Sequence, residues 1–376
     1  MKVYEILGIG FPNRGAELLL LATIDALKQP GQPFNFLCHP TWQDEQSPSK
    51  ILSLGGKLRF GPSTSRLDLW RLAEWAPERA RRAYGWGRES DVNMALDASG
   101  LAYCEKNGET IMEMRTKIFK RYKKRRIPIV MLPQAMGPFE SQKVRKAARE
   151  LFSYPDLIFP RDLDSAKNIR ELGCKCEDPV PDITINFGEV LHSREQSKLI
   201  GIIPNYRMID KGGLGESSYI DFLSEMARQL AANGCQIVWI NHEGKMDIQL
   251  ISKAYSKSGN IGDIFDPGDA MAIKNKIGEC GAIFSSRYHG LVSSLSQGRP
   301  CIGTSWSHKY QQLVNDFGNS VKIISESKNS DAQNAATWLI AASQDNHRQV
   351  QLAENAIALR KKVTDMWLKV KSLTTS

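Results

Sequence analysis

Two successive runs of alternating strand and helix pattern, parted by a polar stretch, constrain this chain more than any other feature. In the first run, Val3–Leu7, Phe34–Cys38, Val92–Asp97, Pro128–Leu132 and Leu157–Pro160 are short apolar runs of strand length. Helical pattern lies between and after them at Ala16–Lys28, Thr110–Arg125, Lys143–Phe152 and Asp164–Leu172. The last of these is capped by Asp162 or Asp164 and stopped by Gly173. Polar residues around Gly188–Lys198 read as a linker. The alternation then restarts with strands at Leu199–Pro204, Gln236–Asn241, Ala282–Phe284 and Cys301–Thr304. Helices are expected at Ser218–Ala232, Asp247–Tyr255 and Asp269–Glu279, and a long one at Ala332–Leu373, broken near Ser343–Asn346. A chain of 376 residues is too long for one ordinary core. The expected fold class is therefore α/β, with two Rossmann-like doubly wound domains facing a cleft. The expected boundaries are 1–190, 196–345 and a terminal helix, 346–376, that could pack back on the first domain.

Composition narrows the class. Hydrophobic residues at 41% and charged residues at 24% suit a soluble globular protein. No apolar run approaches the roughly 20 residues that span a bilayer. Met1–Gly10 reads as a buried strand and lacks the basic lead of a signal peptide. The seven cysteines are scattered, and Cys174-Lys175-Cys176 has no second pair to complete a zinc site. They are expected to be reduced thiols in the cytoplasm.

The net charge of +9 is concentrated. Arg115–Arg126 holds eight cations and no acid, and Arg66, Arg71, Arg79, Arg81, Arg82 and Arg88 are interleaved with Trp70, Trp75, Tyr84 and Trp86. Such stretches suit phosphate-rich partners: nucleic acid, anionic headgroups or a diphosphate-linked substrate. No nucleic-acid-binding signature accompanies them, and none is expected as a partner. Tryptophan mixed with arginine fits a peripheral position at the inner face of a membrane. A solvated basic helix face with tryptophans packed beneath it fits equally well.

The chemistry concentrates in Cys280–Trp306, which reads strand, tight loop, helix, strand. Ala282–Phe284 ends at Ser285 and Ser286; Arg287, Tyr288 and His289 follow, and a helix runs from Gly290 to Gly298. A loop between a strand's carboxyl end and a helix start offers free N–H groups and the positive end of a dipole. Arg287 and His289 there make a site for a small anion with an acid or base beside it. Each also admits a structural role, as an ion-pair partner and a core imidazole.

Other motifs fail. In Gly8-Ile9-Gly10-Phe11-Pro12-Asn13-Arg14-Gly15, Asn13 stands where a dinucleotide fingerprint wants glycine, and His39 where it wants an acid. There is no Walker sequence, zinc-protease helix or nucleophile elbow. Asp162-Leu163-Asp164 could hold a metal on a nucleotide sugar, although capping is its commoner role. No metal or resident cofactor is expected.

Beyond the loop come Gly298-Arg299-Pro300, the strand Cys301–Thr304, and Lys309 twenty positions after His289. This order resembles the polysaccharide pyruvyl transferase family. So do Pro133-Gln134-Ala135-Met136-Gly137-Pro138-Phe139, Arg161-Asp162 followed by Ser165, Pro181-Asp182, and Asn13-Arg14-Gly15. The resemblance runs from about residue 8 to residue 318. Ala16, followed by Glu17, departs from the family's aspartate, and Asp97-Ala98-Ser99-Gly100 departs from its glycine-rich turn. Both departures fall on the acceptor side.

The resemblance implies a GT-B-like arrangement and transfer of pyruvate from phosphoenolpyruvate, as co-substrate, to two hydroxyls of a hexose in a cell-surface or exopolysaccharide precursor. That donor carries a phosphate and a carboxylate. Arg161, Arg287 and Lys309 would supply cations, with Tyr288 and Gly290 completing the donor side. His289 would be the acid/base, with Arg287 and Lys309 beside it in catalysis. His308 is left outside that set. Asn13, Gly15, Glu17 and Gln134 would line the acceptor side or the cleft. The acceptor could be lipid-diphosphate-linked or free. A nucleotide-sugar glycosyltransferase of the same shape and a silent glycan-binding protein are the competing readings.

Overall fold

The computed structural model of the chain describes residues 2–11, 13–31, 34–40, 47–59, 74–188, 197–210, 212–304, 313, 317, 321–324 and 329–373. It divides into two compact units. One comprises Met1–Pro12, Ala16–Ile183 and Lys362–Ser376; the other comprises Asn13–Gly15 and Thr184–Lys361. The boundary thus falls at Ile183/Thr184 rather than within 190–196. The terminal helix is divided between the units: its part up to Lys361 belongs to the second, and Lys362–Ser376 to the first.

The first unit holds a six-stranded parallel sheet: β1 (Val3–Leu7), β2 (Asn35–Cys38), β3 (Gly56–Leu58), β4 (Met94–Asp97), β5 (Ile129–Gln134) and β6 (Leu157–Pro160). Their order is β3-β2-β1-β4-β5-β6, the Rossmann order, with Tyr4 in register with Phe36 on one side and Met94 on the other. Every residue of β4, β5 and β6 is buried. Strands buried on both faces read as unbroken apolar runs, which is why they are visible in the sequence. β3 is a three-residue edge strand and gives no such signal.

The helices of this unit are α1 (Arg14–Leu27), α2 (Ser47–Ser53), α3 (Glu78–Tyr84), α4 (Thr110–Lys124), α5 (Gln142–Phe152) and α6 (Leu163–Glu171). Asp162 caps α6 by accepting from the Ser165 amide at 2.7 Å, which settles the D-x-D pattern as a helix start. α4 buries Met112, Thr116, Phe119 and Tyr122 along one face. Its basic run is less open than the sequence suggests, because Arg115, Lys120, Arg121, Lys123 and Arg125 pair with Asp97, Glu150, Glu89, Asp156 and Glu89. Lys117, Lys124 and Arg126 remain exposed. Glu5 of β1 is fully buried, held by Arg59 and by the Tyr122 hydroxyl, and Arg59 also reaches Glu89. The sequence pattern of β1 gave no hint of this network, since the two acids and the arginine are far apart in the chain.

The second unit repeats the architecture with β7 (Leu199–Ile203), β8 (Gln236–Ile240), β9 (Asp263–Phe265), β10 (Ala282–Ser285), β11 (Cys301–Thr304) and β12 (Val321–Ile324). The order is β12-β11-β10-β7-β8-β9, again the Rossmann order. Its longer described helices are α7 (Glu216–Ala232), α8 (Gly244–Ser258), α9 (Ala270–Glu279), α10 (Tyr288–Leu295), α11 (Asn329–Ser343) and α12 (Asn346–Ser372), the last continuing into the first unit. Phe222, Trp239 and Phe284 anchor its core. The break between α11 and α12 lies where the sequence placed it.

In such sheets the chain leaves the first strand in one direction and later returns to its other side. The crevice at that reversal is the usual ligand site. Here the reversals fall between β1 and β4 and between β7 and β10.

Candidate functional site

The loop Ser286–His289 leaves β10 at the second reversal, next to the end of β7. Its shape is set locally. The Ser285 hydroxyl accepts from the Arg287 amide and donates to the Arg287 carbonyl, both at 3.0 Å. Buried Ser286 lies 2.5 Å from the Tyr219 hydroxyl and accepts from the Thr304 hydroxyl at 2.6 Å. Its carbonyl accepts from the Asn205 side chain at 2.9 Å, tying the loop to the end of β7. Gly290 is required by close approach: a Cβ there would stand 2.4 Å from the Ser285 hydroxyl oxygen. α10 therefore begins immediately after Arg287, with its N-terminal amides and positive dipole end beside the loop.

Arg287 is gripped by acids. Asp247, fully buried in the first turn of α8, accepts from its Nε at 2.9 Å and from its Nη2 at 2.6 Å. Asp247 also accepts from the Tyr206 amide at 3.0 Å, and burial pushes its carboxyl above the ordinary range. Glu243 binds the Nη1 of Arg287. The cation that the sequence offers to an anionic donor is thus already engaged by two carboxylates.

His289 sits edge-on to the ring of Tyr288, with centroids 5.4 Å apart. Gly15, grouped with this unit, approaches so closely that a Cβ on it would lie 2.2 Å from His289 Nδ1. Arg14, from the same short segment, lies near Gly268. A second imidazole joins them. His242, just past the end of β8, is buried, and its Nε2 has no hydrogen-bond partner among the described residues. Burial, then Arg287, His289 and Arg14, hold its pKa well below the ordinary value, so it is neutral.

The other expected residues separate into groups. Arg287, Tyr288, His289 and Gly290 come together with Asn13 and Gly15, which the sequence had assigned to the acceptor half. Asn13 accepts from the Gly15 amide at 2.9 Å and so shapes the start of α1. Glu17 and Gln134 belong to the first unit. Glu17 is buried and lies 3.6 Å from Lys50. Arg161 is also in the first unit, buried, with its amide donating to the Gln134 carbonyl at 3.0 Å and its Nη1 3.5 Å from Asp182. Lys309 and His308 lie outside the described residues. Asn205, His242, Glu243 and Asp247 were missed. All but Asp247 follow the end of a parallel strand, and that position was the available signal.

Among the described residues no group of three or more His, Cys, Asp or Glu could hold a metal ion. What the site offers is a positioned guanidinium, a helix start and two imidazoles, one of them neutral. These can bind an oxyanion and move a proton next to it.

A sequence model of the polysaccharide pyruvyl transferase family matches residues 13–308. No curated protein matches the chain. Among solved structures, the Staphylococcus aureus MnaA–UDP co-structure is similar with a TM-score of 0.58 at 14% identity, over 94% of this chain and 91% of that one. UDP-GlcNAc 2-epimerase from Neisseria meningitidis bound to UDP-GlcNAc gives 0.61 at 13%, over 100% of both chains. Phytolacca americana UGT2 complexed with UDP-2fluoro-glucose and pterostilbene gives 0.59 at 10%, again over 100% of both. At such identities the likeness shows the fold, a GT-B-like pair of Rossmann-like domains. The chain belongs to the polysaccharide pyruvyl transferase family.

Proposed function

We propose that this member of the polysaccharide pyruvyl transferase family uses phosphoenolpyruvate as donor and places its pyruvyl group across two hydroxyls of a hexose in a cell-surface or exopolysaccharide precursor. The observation that carries the reading is the seat of Arg287 and His289 at the start of α10, on the reversal between β7 and β10. The donor brings a phosphate and a carboxylate. Arg287 and the α10 amides take one anion, and Lys309 and Arg161 are the further cations of the scheme. His289 delivers a proton to the enol carbon, making it a methyl group and leaving an oxocarbenium-like centre at the neighbouring carbon. One sugar hydroxyl adds there and gives up its proton. Phosphate then leaves with its bridging oxygen, and the second hydroxyl closes the ketal, releasing the second proton. Phosphoenolpyruvate and a diol become a pyruvyl ketal and inorganic phosphate.

The test is purified protein with phosphoenolpyruvate and a panel of galactosides, mannosides and glucosides, scored for phosphate release and acid-labile pyruvate. The UDP-bound structural neighbours favour nucleotide-sugar transfer as the second reading. Thermal stabilisation by mass action distinguishes the two. A shift with a UDP-sugar and none with phosphoenolpyruvate sinks the pyruvyl reading. The acceptor in this proposal is carried on a lipid diphosphate at the inner face of the membrane, where a cytoplasmic protein meets it. No described helix is long and apolar enough to cross a membrane. The exposed cations and aromatics of residues 75–84 are the contact surface that supports a peripheral position.

A further inference from the structure

Arg287 is bound by two carboxylates that differ in kind. Asp247 is fully buried, takes Nε and Nη2 together, and is itself fixed by the Tyr206 amide. It sets the plane of the guanidinium and cannot leave without stranding a buried charge. Glu243 takes Nη1, and its side chain is 25% exposed. It occupies the N-cap position of α8, yet its side chain makes no capping bond. Glu243 is committed to Arg287 instead, with solvent within reach. One guanidinium between two carboxylates leaves the trio at a net charge of −1, a poor receptor for a further anion.

From this asymmetry we infer that Glu243 is a placeholder: its carboxylate occupies the position on Arg287 Nη1 that the donor's anion takes, and donor binding displaces it toward solvent. The exchange replaces one carboxylate–guanidinium bond with another of the same type, so Arg287 is never left uncompensated between turnovers. Its consequence is that Glu243 lowers donor affinity, while Asp247 positions Arg287 and raises it. The inference rests on the reading that Arg287 receives the phosphoenolpyruvate anion.

The two acids should therefore respond in opposite directions when neutralised, which a merely structural pair would not do. Phosphoenolpyruvate is titrated by calorimetry into the wild-type protein and into Glu243→Gln, Glu243→Ala and Asp247→Asn. A charge-assisted bond exceeds a neutral one by enough to shift an equilibrium about ten-fold, so Glu243→Gln should bind about ten-fold tighter. Glu243→Ala should bind at least as tightly as Glu243→Gln, and Asp247→Asn at least ten-fold more weakly than wild type. If wild type binds phosphoenolpyruvate and both Glu243 variants bind no tighter, the exchange is overturned and the function stands. If wild type binds a UDP-sugar and not phosphoenolpyruvate, the proposed function fails and the exchange fails with it.

Discussion

Asp247 holds Arg287 by two nitrogens at once, Nε at 2.9 Å and Nη2 at 2.6 Å, from a position with no solvent access. A planar fork met by a planar carboxylate has one orientation, so the remaining edge of the guanidinium is aimed by α8 rather than by its own flexible stem. Removing the guanidinium in Arg287→Ala should weaken phosphoenolpyruvate binding by about 1.5–3 kcal/mol. Lys309→Ala should do the same if that lysine meets the second anion. Calorimetric titration of the donor reads both. Donor affinity unchanged in Arg287→Ala would mean that this arginine only braces α8.

His289 is expected to behave differently. His289→Asn keeps similar size and some hydrogen bonding but cannot titrate. It should reduce turnover roughly 100- to 10,000-fold while phosphoenolpyruvate affinity changes less. Single-turnover ketal formation beside donor titration on the same preparation separates the two effects. Near wild-type turnover would make His289 structural and move the acid to His308.

Much of this organisation is legible in the sequence because buried parallel strands are unbroken apolar runs. β1, β6 and β11 fall where their patterns end, and Asp162 and Gly173 mark the ends of α6 as capping chemistry requires. The sheet edges are not legible: β3 and β9 have three residues each, too short to form a pattern, and β9 is mostly solvent-facing. The loop Arg287–Gly290 is visible because cation, imidazole and helix start are neighbours in the chain. Its partners Glu243 and Asp247 are not, since they lie 44 and 40 positions before Arg287 and meet it only through the pairing of β7 with both β8 and β10. For the same reason the charge of Arg115–Arg126 is overestimated from sequence, where its acidic partners cannot be seen.

Gly15 leaves no room for a side chain, because a Cβ would stand 2.2 Å from His289 Nδ1 and 2.6 Å from its Cε1. Gly15→Ala must therefore displace the imidazole or the start of α1. Overpacking of this kind costs about 1–3 kcal/mol, and a displaced catalytic group loses far more rate than fold. The variant should melt a few degrees lower and turn over at least ten-fold more slowly, with phosphoenolpyruvate affinity changed less than turnover. Full activity in Gly15→Ala would show that the imidazole is free to move without consequence.

With five of the Arg115–Arg126 cations engaged by acids, membrane attraction should come from residues 75–84. Trp75 is 85% exposed and Tyr84 62%, and Arg79, Arg81 and Arg82 lie on α3 between them. Cations near an anionic surface contribute about 1 kcal/mol each. Sedimentation with liposomes should require anionic lipid, fall as salt rises, and drop when Arg79, Arg81 and Arg82 are changed to glutamate. Reversing Lys123 and Arg125 should matter less. Equal binding by all variants would place the contact elsewhere or abolish it.

The neutral, buried His242 makes stability depend on pH in a definite direction. Its pKa in the folded protein lies well below the ordinary value, first through burial and then through the charges of Arg287, His289 and Arg14. In the unfolded chain the same imidazole titrates near about 6.5. Above that pH neither state is charged and the full stability is present. As pH falls below it, the unfolded chain takes up a proton that the folded chain refuses, so stability falls by up to about 1.4 kcal/mol per pH unit. Asp247 acts with the opposite sign: its carboxyl is raised by burial, so the folded state takes up that proton first and gains stability as pH falls into the carboxylate range. Denaturant unfolding between pH 8 and pH 5 should therefore be compared in wild type and His242→Gln, which share the Asp247 contribution. The wild-type curve should fall more steeply below about pH 6.5. Parallel curves for the two proteins would mean that the imidazole is solvated and protonated in the folded state, and that it cannot serve as a neutral neighbour of His289.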